Sequence, residues 1–407
     1  MRLKGKVILI LGIAKFDGLF ESTSYTMAKY LAQENDVYYI DYPYTWKDYF
    51  LNRSDGFYTR EKYFNKKSVG IIDTDITTLK VVIVPPLLSI NFINEGKFYR
   101  FALGINENII VNRIKQVIDK FNIAEYIYIN SSNFHYPNVG RRINPKLAVY
   151  HCVDPIIGGY DSNHGRISED QIIKQSDLII CTSKQLYKEK AAQNPESHFI
   201  PNAANLEFSS MAMNPDVIVN TRLERIPNPI IGYFGNIERR INFDLLHQVA
   251  KLNPDKSFVF AGPVTESFVP PAFKELSNVY FIGRIPYAEM PSVLKGFDIC
   301  MIPFKKDEVS NTIFPLKLFE YLGAGKSVIA TDFNLDLKDF TRDTVAYCST
   351  AEEFDAEIKL ILKEDNIEKL NARLQVASEN TWDVRLNQFS VLLNDAFVKV
   401  SSRRNNL

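Results

Sequence analysis

The feature that most restricts the fold is an alternation of short apolar, often β-branched runs with longer segments of helical period. Runs such as "KVILIL" and "VIATD" have no polar face, and a strand of that kind belongs in a parallel sheet covered by helices on both sides. In the first half, strands are expected at Lys6–Leu11, Val37–Asp41, Thr78–Val84, Tyr126–Asn130, Leu147–Val153, Leu178–Thr182 and His198–Ile200. Helices are expected between them at Ser24–Gln33, Asn106–Phe121 and Ser168–Gln175. The alternation loosens over Asn205–Asn228, a polar stretch broken by prolines, and restarts with strand Ile230–Phe234. Helix Phe243–Leu252, strand Ser257–Ala261, helix Pro270–Leu276, strand Val279–Ile282, helix Tyr287–Gly296, strand Ile299–Ile302, helix Pro315–Ala324 and strand Ser327–Thr331 follow.

A chain of 407 residues is long for one core, at roughly 150 residues per domain. The expectation is an α/β protein with two doubly wound domains. The N-terminal one spans 1–205, a linker 206–228, and the second domain 229–380. A last helix within 381–407, with Leu386, Phe389, Leu393 and Phe397 near one face, should pack back toward the first domain. Two such domains predict a site in the cleft between them, outside the carboxyl ends of their strands.

Lys plus Arg equals Asp plus Glu at 48 each, so charge gives no reason to expect nucleic acid as a partner. Cys152, Cys181, Cys300 and Cys348 lie far apart, which reads as reduced, buried thiols in a cytoplasmic protein. The first apolar run is short and β-branched, a strand rather than a leader. No stretch approaches the roughly 20 apolar residues needed to span a bilayer, so any membrane contact would be peripheral.

Chemistry concentrates in "SNTIFPLKLFEYLGAGKSVIATD", residues 310–332. Pro315 suits a first helical turn, and the free N–H groups near Leu316 and Lys317 offer an anion site to which Lys317 adds charge. Glu320 follows Pro315 by about 7.5 Å of helix axis, roughly the step from a diphosphate to a ribose, whose vicinal hydroxyls a carboxylate can accept. An exposed i,i+3 pair of Lys317 with Glu320 explains the same spacing equally well.

The run from Asn278 to Asp332 resembles the donor-binding half of GT-B glycosyltransferases, specifically the GT4-type group, and "PLKLFEYLGAGKSVIAT" matches that group's helix motif nearly residue for residue. "PIIGYFGNI" and "FVFAGP" resemble its preceding strands, and "VYHCVDPI", "SDLIICTS" and "FIPNAANLEF" resemble segments of its N-terminal half. The resemblance implies two Rossmann-like domains facing a central cleft. It implies that Glu320 accepts the ribose of a UDP-, GDP- or dTDP-linked sugar, with Pro315, Leu316 and Lys317 near the diphosphate or sugar. Gly235 and Asn236 would approach the diphosphate, Gly283, Arg284 and Ile285 would hold the base, and Gly262 would wall the pocket. Two departures stand out. Thr312 occupies the position, eight before Glu320, where the group usually has a first glutamate. Arg239 and Arg240 lie out of register with the group's usual cations, so phosphate binding and solvation both remain open for them.

The sugar donor would be a substrate, with no cofactor and no metal. "DTD" at Asp73–Asp75 reads as a turn before a strand rather than a metal motif. On the acceptor side, Asp154 follows a strand directly, His135 sits in the loop after another, and His151 lies within a strand, where packing competes with catalysis as its role. Asp17 and Ser22 are the polar candidates of the first loop, helix capping being the plainer role for the serine. Basic and aromatic segments at residues 58–67 and 96–121 are either solvated faces or a peripheral contact at the inner face of a membrane.

The activity expected is transfer of a sugar to a glycan or lipid-linked acceptor in cell-surface polysaccharide biosynthesis, with retention and without metal. Two alternatives are a nucleotide-sugar epimerase of the same fold, which needs several acid–base residues, and a non-catalytic GT-B subunit, for which the missing glutamate speaks.

Overall fold

The computed structural model describes residues 1–18, 22–51, 55–65, 68–156 and 161–405. It divides into two compact units: Met1–Pro201 together with the chain from Leu386 onward, and Asn202–Arg385.

The first unit is built on an eight-stranded sheet. Its strands are β1 (Val7–Leu11), β2 (Asp36–Ile40), β3 (Ile71–Asp73), β4 (Leu79–Val82), β5 (Ile127–Ser131), β6 (Leu147–Cys152), β7 (Leu178–Cys181) and β8 (Ser197–Phe199). Their order is β3-β4-β2-β1-β5-β6-β7-β8, parallel except for β3 against β4. The order reverses at β1, which pairs with β2 on one side and β5 on the other, and such a switch point leaves a crevice at the carboxyl ends. Leu9, Leu11, Tyr38, Ile40 and Val82 form a core with Ile110, Ile114 and Val117 of the helix Lys97–Lys120. That helix begins nine residues before the expected Asn106, because its first turns place Phe98 and Phe101 in solvent and so hide the apolar period. "DTD" begins on the last residue of β3, a strand the apolar pattern did not reveal, and opens the hairpin to the expected β4, so it follows one strand as well as preceding another; Asp73 pairs with Lys80 at 2.7 Å.

The last helix, Trp382–Asn405, supplies the returning segment of this unit. Ser390 Oγ accepts the Leu3 N–H at 2.9 Å, Phe389 meets His151 edge-on at 5.4 Å, and the Lys6 ammonium lies 4.3 Å over the Phe397 ring. Leu386, Phe389, Leu393 and Phe397 are all buried.

The second unit is a six-stranded, all-parallel sheet of order β11-β10-β9-β12-β13-β14. The strands are β9 (Ile230–Phe234), β10 (Ser257–Ala261), β11 (Val279–Gly283), β12 (Ile299–Ile302), β13 (Ser327–Thr331) and β14 (Val345–Cys348). Here the switch point is β9, between β10 and β12. Helices Phe243–Leu252, Met290–Lys295, Leu316–Gly323, Ala351–Glu364 and Ile367–Glu379 are among those that connect and follow the strands. The segment expected as a linker is a folded part of this unit. It forms the helix Leu206–Ser209 and 3-10 turns at Ser210–Met213 and Thr221–Leu223, and it buries Ala212 and Leu223 in the core. Its prolines break helical period without preventing short apolar anchors. No helix among the described residues is long and apolar enough to cross a membrane.

Candidate functional site

In the second unit, three strand-to-loop turns at the carboxyl edge carry glycines with positive φ: Gly235 at 144°, Gly262 at 150° and Gly283 at 76°. They are stitched together, the Gly235 N–H donating to Ala261 O at 2.9 Å and the Gly262 N–H to Gly283 O at 2.8 Å. A Cβ on Gly262 would stand 2.0 Å from Gly235 O, and one on Gly235 would stand 2.5 Å from Lys317 Nζ. Both positions need glycine on conformation, and Gly262 also on space, because it faces backbone while Gly235 faces only the movable end of a lysine. The outcome is a backbone-lined hollow with an ammonium beside it.

That ammonium belongs to the helix Leu316–Gly323. Pro315 is the residue before the helix, extended at φ −77°, ψ 124°, rather than in its first turn, and it gives no side-chain cap. The first-turn N–H groups of Leu316 and Lys317 are thus the orphan donors every helix start leaves. Lys317 Nζ donates to Tyr233 Oη at 2.7 Å and lies 4.1 Å over the same ring, while Tyr233 Oη donates to Asn236 O at 3.0 Å. Desolvation pushes the Lys317 ammonium down to about 7, the positive charge of Arg240 adding to it and Glu320 and Glu238 opposing it. Among the described residues no carboxylate lies within ion-pair distance of it. A cation held on an aromatic ring, partly desolvated, is suited to an incoming anion.

Glu320 is one turn further along and only 9% exposed. Tyr287 Oη donates to its Oε1 at 2.6 Å, and the Tyr287 ring stacks on Phe208 at 5.2 Å and 15°. A buried carboxylate held by a tyrosine does not fit the exposed-pair explanation of Lys317 and Glu320. Arg240 pairs with Glu238 through Nε, Arg239 and Asn236 are exposed, and the Arg240 charge is felt by Lys317. Thr312 is buried in a 3-10 turn with its hydroxyl donating to Val309 O at 2.7 Å, so its one proton is used within its own turn. Arg284 is exposed and Ile285 buried. Arg222 Nη1 donates to Ile282 O at 2.8 Å and Arg284 O at 3.0 Å, bracing the turn around Gly283.

Four contributors escaped the sequence reading: Tyr233, Tyr287, Phe208 and Arg222. Tyr287 opens the segment expected as the helix Tyr287–Gly296, and Arg222 lies in the stretch expected as a linker.

In the first unit, Asp154 stands exposed two residues beyond β6. His151, inside β6, is buried with Nδ1 3.0 Å from Ser131 Oγ, and burial pushes it down to about 4, so it is neutral and packed. That is the packing environment rather than a proton-transfer one. His135 follows β5, partly exposed; burial lowers its pKa, and Asp161, 4.0 Å away, opposes the shift. It lines a cavity of about 340 Å³ with Tyr42, Thr45, Asp48, Ser89 and Asn91, at the carboxyl ends of β2, β4 and β5. Asp17 of the first loop, of which residues 19–21 lie outside the described ones, is gripped by Arg60 through Nη1 at 2.8 Å and Nη2 at 2.6 Å. Arg60 Nε also bonds Asp41 at 2.6 Å, and Asp41 accepts the Phe16 N–H at 2.9 Å. Ser22 begins the helix Thr23–Leu31 without capping it; its hydroxyl meets Ser24 Oγ at 2.9 Å. No group of three or more His, Cys, Asp or Glu among the described residues is arranged to hold a metal ion.

Comparison with known proteins agrees with this architecture. Residues 239–390 match the family model described as glycosyl transferase-like. The putative teichuronic acid biosynthesis glycosyltransferase TuaH of Bacillus subtilis (strain 168) is 33% identical over 174 residues, 40% of this chain and 43% of the relative. The match thus spans less than half of that curated relative. Among solved structures, sucrose-phosphate synthase from Thermosynechococcus elongatus superposes with a TM-score of 0.66 at 14% identity, covering 97% of this chain and 100% of that one. The UDP-forming alpha,alpha-trehalose-phosphate synthase from Burkholderia vietnamiensis gives 0.67 at 7%, covering 95% and 96%. Anabaena HepE in complex with UDP and glucose gives 0.61 at 12%, covering 95% and 99%. The chain has the GT-B fold, and over residues 239–390 it carries the glycosyl transferase-like pattern.

Proposed function

We propose that the protein transfers a glycosyl group from a nucleoside diphosphate sugar to a glycan or lipid-linked acceptor, in the building of a cell-surface polysaccharide. The observation that carries this reading is the conjunction, in one unit, of the Gly235–Gly262 hollow, the Lys317 ammonium beside it and the buried Glu320 one turn away. An anion, a short step and a diol describe a nucleoside diphosphate. TuaH is named for teichuronic acid biosynthesis and HepE was solved with UDP and glucose, which makes UDP the first nucleotide to try.

In this reading the diphosphate lies against the Gly235 and Asn236 backbone and the first-turn amides of Leu316 and Lys317. Glu320 accepts the ribose hydroxyls, with Tyr287 fixing one of its oxygens. The base sits over Gly283, Arg284 and Ile285, and Gly262 keeps the wall close. As the sugar–phosphate bond breaks, charge grows on the leaving diphosphate, and Lys317 becomes a fully charged partner to it, with Arg240 adding long-range positive potential. The acceptor oxygen bonds the anomeric carbon in the diphosphate's place and gives up its proton. With retention of configuration the leaving phosphate takes it on the same face, and Asp154 and His135 orient the acceptor. With inversion, one of those two acts as base. His151, buried and neutral, is given no part. The transfer is read as retaining and as independent of metal and cofactor.

The test is a nucleotide-sugar screen scored by slow donor hydrolysis, with calorimetry of UDP, GDP and dTDP. Hydrolysis of one donor class, undiminished by EDTA, supports the reading. Binding of none of the three nucleotides contradicts it, and an inverted product linkage contradicts retention.

A further inference from the structure

A cavity of about 370 Å³ opens at the amino edge of the second unit's sheet, and glycosyl transfer makes no use of it. Its floor is the start of β13, at Ser327 and Val328, and the entry to β14 from Asp343 onward. Its walls are the second half of the helix Ala351–Glu364, through Glu357, Leu360 and Ile361, and the first turns of the helix Ile367–Glu379. The sheet is parallel throughout, so the glycine turns at Gly235, Gly262 and Gly283 lie at its other edge. The cavity is therefore no extension of the nucleotide hollow. Its volume lies within the roughly 300–1,000 Å³ of small-molecule sites.

Its charged lining divides into groups already engaged and groups left over. Arg373 is buried and committed: Nη1 and Nη2 fork onto Asp365 at 2.8 and 2.9 Å, and Nε donates to Gly325 O at 3.1 Å. Ser327 Oγ donates to the same carboxylate at 3.3 Å. That closed pair leaves three charged side chains on the lining. Those of Asp343 and Glu357 have no hydrogen-bond or ion-pair partner among the described residues. Lys369 has only Glu364, at 3.8 Å with both side chains about half exposed, and such a pair is weak. Much of the remaining lining is aliphatic, with Val328, Val345 and Ile361, and Leu360 stands 42% in solvent. Two carboxylates on one cavity repel each other, and a cation that bonds both removes that cost. An ammonium for Asp343 and Glu357, an aliphatic body for Leu360 and Ile361, and a carboxylate for Lys369 together describe a zwitterion. We propose that this cavity binds a small aliphatic zwitterion of the amino-acid class. The site stands without glycosyl transfer.

The experiment uses the full chain, with leucine and ε-aminocaproate as probes and caproate and cadaverine as comparators, read by saturation-transfer NMR and calorimetry at millimolar ligand. The expected result is saturable binding of a zwitterion, about tenfold or more tighter than that of caproate, which lacks the ammonium. Asp343→Asn combined with Glu357→Gln should weaken it by a similar factor, and so should Lys369→Met, a change at a half-exposed position. Melting temperature and UDP binding should be the same in all three chains. Saturation by neither zwitterion overturns the proposal, and so does full affinity in the Asp343 and Glu357 variant. Displacement of the zwitterion by UDP overturns it too, since that would place the ligand in the nucleotide hollow. Tighter binding of cadaverine than of either zwitterion would assign the cavity to a diamine and contradict the ligand class. Absence of UDP binding in every chain, with zwitterion binding intact, would remove the glycosyl-transfer reading and leave this site standing.

Discussion

The two units share a plan, a parallel sheet with a switch point beside its first strand, yet hold their carboxyl-edge loops by different means. The second unit uses backbone: glycine turns at Gly235, Gly262 and Gly283, two pairs of which bond to each other, leave a hollow with the Lys317 ammonium beside it. The first unit uses side chains: Arg60, only 1% exposed, clamps Asp17 of one loop to Asp41 at the end of β2. A glycine edge suits a ligand read through its phosphates, whose oxygens accept from backbone N–H groups. A side-chain edge can change its lining without changing the sheet, which suits a unit whose ligand varies.

The contrast can be broken in order of expected effect. Arg60→Ala should be the most damaging change, because it leaves Asp41 buried without its partner; chemical denaturation should show a loss of about 3–5 kcal/mol. A loss below about 1 kcal/mol would mean that the clamp does not hold the loop. Gly262→Ala should cost roughly 1–3 kcal/mol in backbone strain and abolish nucleotide binding, since a methyl group 2.0 Å from the Gly235 carbonyl oxygen fits only if the hollow moves. Gly5→Ala is its control: φ is 61° there but nothing lies within 4 Å, so nucleotide binding should not change.

Lys317 sharpens the comparison through pH. Its pKa is held down at about 7, below the unfolded value of about 10.4. Between those two values the unfolded chain binds the extra proton, so stability rises with pH across that window. Diphosphate binding has the opposite slope, because the anion favours the protonated amine: affinity should fall as pH rises through 7, with proton uptake on binding. Lys317→Met should flatten both slopes, and unchanged slopes in the variant would remove Lys317 from the anion site. The smallest effect belongs to Tyr287→Phe, which keeps the stack on Phe208 and removes the bond to Glu320. UDP affinity should drop by about 1 kcal/mol, with a smaller drop for 2′-deoxy-UDP; equal drops would make Tyr287 merely structural.

Much of this was legible in the residues because it is local. The strands of the second unit read directly from runs such as "IIGYF" and "SVIAT", buried on both faces. Lys317 and Glu320 share one helix, so their spacing could be measured along its axis. What was hidden depends on distant pairs or on broken pattern. Tyr287 meets Glu320 across 33 positions and Arg222 reaches Arg284 across 62, contacts that no local periodicity encodes. The stretch after Asn205 lacks period because it anchors through single residues such as Leu223. The early turns of Lys97–Lys120 were missed since Phe98 and Phe101 face outward. His151 could not be separated from a catalytic histidine until its burial against Phe389 was seen.

The central claim is that Glu320 reads the ribose of a nucleotide whose diphosphate lies beside Lys317. Calorimetry of UDP, and of whichever other nucleotide binds, against the parent chain and Glu320→Ala tests it most directly. The account predicts binding by the parent and a loss on the order of 1.5–3 kcal/mol in the variant. Equal affinity in the two chains would contradict it.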